Sequence, residues 1–504
     1  MKKSDIALLK KIDSEVLLLS HAASLLGWDQ ETYIPSGAVD ERSRQLSLLS
    51  SIVHERLTSK SVKSVFSGAG RFDDIEFSSE TGELDKAFVR KFFDTYRKQA
   101  LLPASLVSEL SRQASVTQHL WAKARADNNY PLFAGEFSKM LSLVKEKAEC
   151  LGYEKTPYDA LLDEYEKGMT SSALEEIFSV VEMRTGNLLE KIVAEKQVDN
   201  SLFHGQFSID RQEKLGRKVL DWLGYDKERG RMDVSAHPFT TTLGFSDVRI
   251  TTRYREDYFL SGLYSIIHEC GHALYEQGFG DQVKDSSLAE GTSLGIHESQ
   301  SRFWENVIGR SDGFARFIWP HFAGLFPEAV RGKTADDYFR GVNRVEPSLI
   351  RINADEVTYN LHIIMRYRLE KSLIEEDISV SDLPEAWNSM SGKLLKVKPS
   401  ADSEGVLQDV HWSFGAMGYF PTYLLGNLYS AQFVSVMEKE TGSTEKLSAE
   451  GNFGVILTWL RENIHKSGSI FTPDELLFRV TGKSLVPGYF LDYLDRKYSQ
   501  VYGF

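Results

Sequence analysis

Leu263-Tyr264-Ser265-Ile266-Ile267-His268-Glu269-Cys270-Gly271-His272-Ala273-Leu274-Tyr275 is the stretch from which the rest of the chain can be read. Its apolar residues flank the polar ones as a well-buried helix requires. Four residues turn a helix about 400°, so the imidazoles of His268 and His272 leave one face about one turn apart. That separation lets both reach a single zinc ion at about 2.0–2.1 Å. Glu269 sits about 100° around the helix, close enough to touch a metal-bound water without being a ligand. The competing reading is an ordinary amphipathic helix with two incidental histidines. Two imidazoles and a carboxylate are costly to bury, however, unless something satisfies them. Gly271 costs about 1 kcal/mol relative to Ala in a helix interior, which points to a packing or functional reason for it.

A catalytic zinc takes three protein ligands and keeps one position open. Glu276 continues the spacing, but its Cα lies about 12 Å along the axis from that of His268, too far to share an ion. The third ligand must come from another element. Glu290 precedes Gly291 and reads as loop. Glu298 lies in the stretch 295–306, which reads as a helix with Ile296, Phe303 and Val307 on its apolar side. Spacing favours Glu298 and leaves Glu290 open. His297 is a further rival, although neighbouring helical residues point about 100° apart, so only one of His297 and Glu298 can face the ion.

Composition narrows the class. The chain has 504 residues and 42% hydrophobic content, enough for a large core and for more than one lobe. Its net charge of −13, from 59 basic and 72 acidic residues, argues against a nucleic-acid or anionic-membrane partner. Cys150 and Cys270 are the only cysteines, too few for a disulfide framework and suited to a reducing compartment. Cys270 faces away from the histidine stripe and is not read as a ligand. The apolar run Val16–Leu19 follows Lys10, Lys11, Asp13 and Glu15, so it reads as part of an amphipathic helix and not as a signal peptide. No stretch approaches the roughly 20 apolar residues of a membrane helix. A cytoplasmic protein is expected. There is no G-x-S-x-G and no phosphate-binding glycine loop.

Long segments with a 3.6-residue period predict a mostly α fold. Helices are expected over about 3–26, 40–59, 83–100, 103–128, 130–152, 171–197, 209–223, 356–370 and 383–395. Thr170–Glu176 has capping character. Residues 64–80, rich in Ser and Gly, read as a surface loop. One region departs from the helical pattern. His237–Tyr254, rich in Thr and β-branched residues, predicts a hairpin or two short strands, with its turn at Gly244–Asp247. Its edge, just before the histidine helix, either holds an extended peptide by backbone hydrogen bonds or merely packs.

Several stretches together resemble one family. They are Gly27-Trp28-Asp29-Gln30-Glu31-Thr32-Tyr33-Ile34-Pro35; His237-Pro238-Phe239; Asp247-Val248-Arg249-Ile250-Thr251; His268 to His272; His297-Glu298-Ser299-Gln300; Ile350-Arg351-Ile352-Asn353-Ala354-Asp355; and Gly405-Val406-Leu407-Gln408-Asp409-Val410-His411-Trp412. In this order they resemble the carboxypeptidase Taq family of zinc metallocarboxypeptidases, and the likeness spans essentially the whole chain. The resemblance implies a large, mostly α-helical fold with a deep central cleft and a small β-sheet next to the metal-binding helix. It implies one catalytic domain over 1–504, with the N-terminal helices as a wall or lid of the cleft, and a homodimer. It also implies Glu298 as the third ligand, and zinc with cobalt as a possible substitute. The activity implied is removal of single residues, with broad specificity, from peptides with a free C-terminus.

In that reading His268, His272 and Glu298 hold the metal and Glu269 is the general base. His411 and Tyr423 are expected to stabilise the oxyanion, as downstream histidine and tyrosine do in related helical metallopeptidases; Tyr419 is the rival to Tyr423. A C-terminal carboxylate calls for the bidentate fork of an arginine. Arg351 is the first candidate and Arg249 the second, unless each merely pairs with Asp355 or Asp247. His237 and Gln408 are expected to line the substrate groove. The alternatives are a related helical endopeptidase or dipeptidyl carboxypeptidase, and a non-catalytic helical binding protein, against which the intact ligand set speaks.

Overall fold

A computed structural model describes residues 1–504 as twenty α-helices and one three-stranded sheet. The expected helices appear with shifted ends. Ile209–Leu223 is found as read. The N-terminal helix runs on to Thr32, and its buried Trp28 packs against the guanidinium groups of Arg231 and Arg249. The helix expected from 356 starts instead at Thr358 and runs to Ile374. Its first amides, those of Val357 and Thr358, donate to the Asp355 carboxylate at 2.9 Å each. The stretch 64–80 is mostly irregular but includes a 3-10 turn, Phe72–Asp74, and the buried Phe66. One apolar core runs from Ile6 to Tyr502.

The hairpin lies where the Thr-rich segment predicts it, as β2 (Thr240–Gly244) antiparallel to β3 (Asp247–Thr252). A third strand, β1 (Met232–Val234), runs parallel to β3, so β2 is an edge strand. At three residues, β1 is too short to carry a readable alternation. Alternation on β3 gives the sheet two occupied faces. Val248, Ile250 and Thr252 are fully buried, and Thr252 reaches Ser265 of the histidine helix at 2.7 Å. Arg249, between them, points the other way and stacks 4.5 Å over Trp28 of the N-terminal helix.

The histidine helix, Phe259–Glu276, packs on β3 and on the glutamate helix, Leu294–Arg302. The glutamate helix also packs intimately on the tyrosine helix, Pro421–Thr441. Two glycines make these approaches possible. A Cβ on Gly271 would lie 2.7 Å from the carbonyl oxygen of Gln300, and one on Gly426 would lie 2.7 Å from the Glu298 side chain. The packing reason suspected for Gly271 is thus the close passage of the glutamate helix. Glu166, fully buried, holds the start of that helix. It accepts from the Ser293 hydroxyl, the Gly295 amide and Tyr429 of the tyrosine helix. After Arg302 the helix widens into a π-helical segment, Phe303–Ile308, of the kind often found at functional sites.

Candidate active site

The histidine and glutamate helices bring His268, His272 and Glu298 together. Their ligand atoms all lie within 4.8 Å of one another. Glu298 Oε2 is 3.7 Å from His268 Nε2 and 3.4 Å from His272 Nε2. Ligand atoms around a tetrahedral zinc stand about 3.4 Å apart, so the residues fit such an ion. The charges fit as well. Glu269, Glu298 and Glu305 are answered by only two guanidinium groups, those of Arg302 and Arg310. The surplus is negative and suits a cation. Glu290 is elsewhere, exposed and paired with Lys91 at 2.8 Å. Glu276 and His297 pair with each other at 2.7 Å, and the His297 ring stacks on His272 at 4.5 Å. His297 therefore buttresses His272 and is not one of the three converging groups.

The surroundings fix each group. Glu305, presented by the π-helical segment, lies 2.8 Å from His268 Nδ1 and so leaves Nε2 directed at Glu298. Glu305 lies on the Glu298 stripe, seven residues on, but sequence reading missed it because its partner His268 belongs to another helix. Glu298 Oε1 accepts from Arg302 at 2.7 Å and Oε2 from Ser301 at 2.9 Å. Burial works against the Glu298 carboxylate, yet Arg302 and His268 win and hold its pKa well below the usual range. Burial alone would lower the pKa of His268, but Glu298 and Glu305 outweigh it and raise it to about 9. His272, dominated by burial and by its neighbour His297, falls to about 3. Glu269 is buried beside the ligands; burial raises its pKa, against the pull of His268.

A second cluster gathers around Asp409. Arg351 donates to Asp409 Oδ1 at 2.8 Å and to the Tyr359 hydroxyl at 3.2 Å. Arg366, from the helix Thr358–Ile374, donates to Asp409 Oδ2 at 2.7 Å. The partner of Arg351 is thus Asp409 and not Asp355. Arg351 lies 5.1 Å from the Tyr423 ring centre. His411 Nε2 is 3.4 Å from the Tyr423 hydroxyl, and the Tyr419 ring is 5.3 Å from that of His411. Tyr423 and Gly426 are three apart on the tyrosine helix, which brings Tyr423 to the side that passes Glu298. Burial and Arg351 push His411 down to about 4. Burial and Tyr419 push the Tyr423 phenol well above its usual range. Glu370, also fully buried, holds this segment: Trp412, Gly418 and Tyr158 all donate to it.

The other candidates are placed differently. Arg249 is committed to Asp247 at 2.8 Å and to Trp28, on the face of the sheet turned from the histidine helix. That is the structural alternative its sequence left open. Gln408 accepts from the Arg351 amide and donates to the carbonyls of Leu349 and Glu404. Both ends of its amide therefore brace the Arg351 loop. His237 is exposed in the loop between β1 and β2.

Two imidazoles and a carboxylate around a cation-sized space, with a further buried carboxylate alongside, define a metal-dependent hydrolase site on a helical scaffold. The comparisons narrow this. Residues 8–498 match the Carboxypeptidase Taq (M32) metallopeptidase family. The chain is 39% identical to the thermostable carboxypeptidase 1 of Thermus thermophilus over 505 residues, covering 98% of each. It is also 39% identical to the thermostable carboxypeptidase 1 of Pyrococcus furiosus, covering 95% of each. The solved M32 carboxypeptidase of Deinococcus radiodurans superposes with a TM-score of 0.95 at 36% identity, over 100% of both chains. The chain belongs to the carboxypeptidase Taq (M32) family and is a metallocarboxypeptidase. Its mostly α fold, with a small sheet beside the histidine helix, is that of its structural relatives. No helix is long and apolar enough to cross a membrane.

Proposed function

We propose that the protein removes single residues from peptide C-termini, with zinc held by His268, His272 and Glu298. The observation that carries this is the convergence of those three ligand atoms beside the buried Glu269. Bound there, zinc would polarise the scissile carbonyl and acidify the attacking water. Glu269 accepts a proton from that water and passes it to the leaving amine. Glu305 keeps His268 in the orientation that frees Nε2. His411, neutral near neutrality, and the protonated Tyr423 are hydrogen-bond donors for the developing oxyanion. Arg351 recognises the substrate's terminal carboxylate. In support, Arg351 and Arg366 share one carboxylate, so their cluster keeps one positive charge to offer. Broad specificity and replacement of zinc by cobalt follow the resemblance.

The test is to incubate the purified protein with an N-terminally blocked peptide, with and without a chelator, and to follow products by mass. Chelator-sensitive stepwise loss of single C-terminal residues is expected. Internal cuts, or release of dipeptides, would replace this reading by that of an endopeptidase or dipeptidyl carboxypeptidase.

A further inference from the structure

We propose that Thr240 is a positioning residue for the hydrolysis: its hydroxyl engages Glu269 Oε2 and leaves Oε1 as the oxygen that takes the proton. This rests on the reading of Glu269 as general base. The three carboxylates around the ligand cluster are held differently. Glu298 has a partner on each oxygen, Arg302 and Ser301. Glu305 has Arg310 on one oxygen, with His268 and Arg302 on the other. Glu269 receives one side-chain hydrogen bond, from Thr240 Oγ1 to Oε2 at 2.7 Å, and Oε1 accepts nothing from the protein. Fixed groups are held at both oxygens, whereas a group that must accept a proton needs one free.

The sheet explains why the donor is this residue. Thr240 opens β2 opposite Ile250 of β3, and directly opposed residues share a face. Ile250 is fully buried on the side of the histidine helix, so Thr240 projects to that helix too. Branching at Cβ restricts its rotamers, so the hydroxyl is aimed before substrate arrives. The same hydroxyl is 2.9 Å from the Glu269 carbonyl oxygen; its one proton serves the nearer Oε2 or that carbonyl, and donation to the carbonyl would tie strand to helix without touching the carboxylate. The two roles are separable by experiment.

Thr240→Val keeps the shape and removes the donor; Thr240→Ser restores the donor. We expect Thr240→Val to lower kcat about 10- to 100-fold with KM and metal content within about twofold, and Thr240→Ser to recover most of the rate. In a Glu269→Gln background Thr240→Val should add no further loss, since both act through one group. A Thr240→Val enzyme with unchanged kcat would overturn the proposal. So would one that loses metal and thermal stability along with its rate, because the hydroxyl would then only tether the strand. Full activity in Glu269→Gln alone would remove the general-base reading, and this proposal with it; an inactive Glu269→Gln beside a normal Thr240→Val removes the Thr240 proposal only.

Discussion

Two half-buried histidines, His268 and His411, sit in neighbouring clusters and are driven in opposite directions. Around His268 three carboxylates face two guanidinium groups, and its pKa rises to about 9 although burial opposes this. Around His411 two guanidinium groups share Asp409, and its pKa falls to about 4. Desolvation lowers both, so the sign of the local charge surplus makes the difference. One cluster is negative and suited to a cation. The other is positive and suited to a carboxylate. The tyrosine helix joins them: Gly426 lies against Glu298, and Tyr423 lies against His411 and Arg351. On the proposed reading, the scissile carbonyl lies at the first cluster and the terminal carboxylate at the second.

This contrast can be broken from either side. The largest effect is expected from Glu269→Gln, which keeps the shape and removes the base. Its kcat should fall about 10³-fold with metal content unchanged by elemental analysis; turnover near that of the parent would exclude the assigned role. Next, Arg351→Met removes the positive surplus while Arg366 keeps Asp409 paired. For peptides with a free C-terminus kcat/KM should drop about 10²-fold, and the preference over C-terminally amidated peptides should disappear. A variant that retained the preference would place carboxylate recognition elsewhere. Glu305→Gln weakens the hold on His268 Nδ1 and should reduce metal affinity about tenfold, measured by competition with a chelator. Equal affinity in the two proteins would mean that packing alone orients His268.

The smallest effect concerns pH. Because the folded pKa of His411 is depressed, the unfolded chain binds a proton there below about 6.5 and the folded chain does not until about 4. Folding stability from this group is complete above pH 6.5 and is lost as pH falls towards 4. His411→Gln should therefore flatten the decline of Tm over that interval; an unchanged slope would mean that His411 is not held neutral.

Legibility varied with how local the information is. The two-histidine stripe and Glu269 are one-turn features of a single helix, so their spacing is enough to read them. The Thr-rich hairpin is local in the same way. The tyrosine helix has 14 of its 21 residues buried, so it lacks the polar stripe that makes helices readable. Glu305 falls on the Glu298 stripe, but its pairing with His268 is a contact between two helices, which residue spacing does not announce. Arg351 and Arg249 were first and second candidates as sequence, each with a nearby aspartate as its structural alternative. The alternation of β3 sends Arg249 to Trp28, whereas a loop braced by Gln408 brings Arg351 to Asp409 and Tyr423.

Sequence by itself therefore determined the helical class and the shared face of His268 and His272 with Glu269 beside them, because helical geometry converts spacing into direction within one turn. Only the tertiary structure decided which distant groups complete the site: Glu305 behind His268, Thr240 against Glu269, and the arginine pair on Asp409. Those partners are set by how elements far apart in the chain pack, and side-chain packing at a few ångströms has no counterpart in residue spacing.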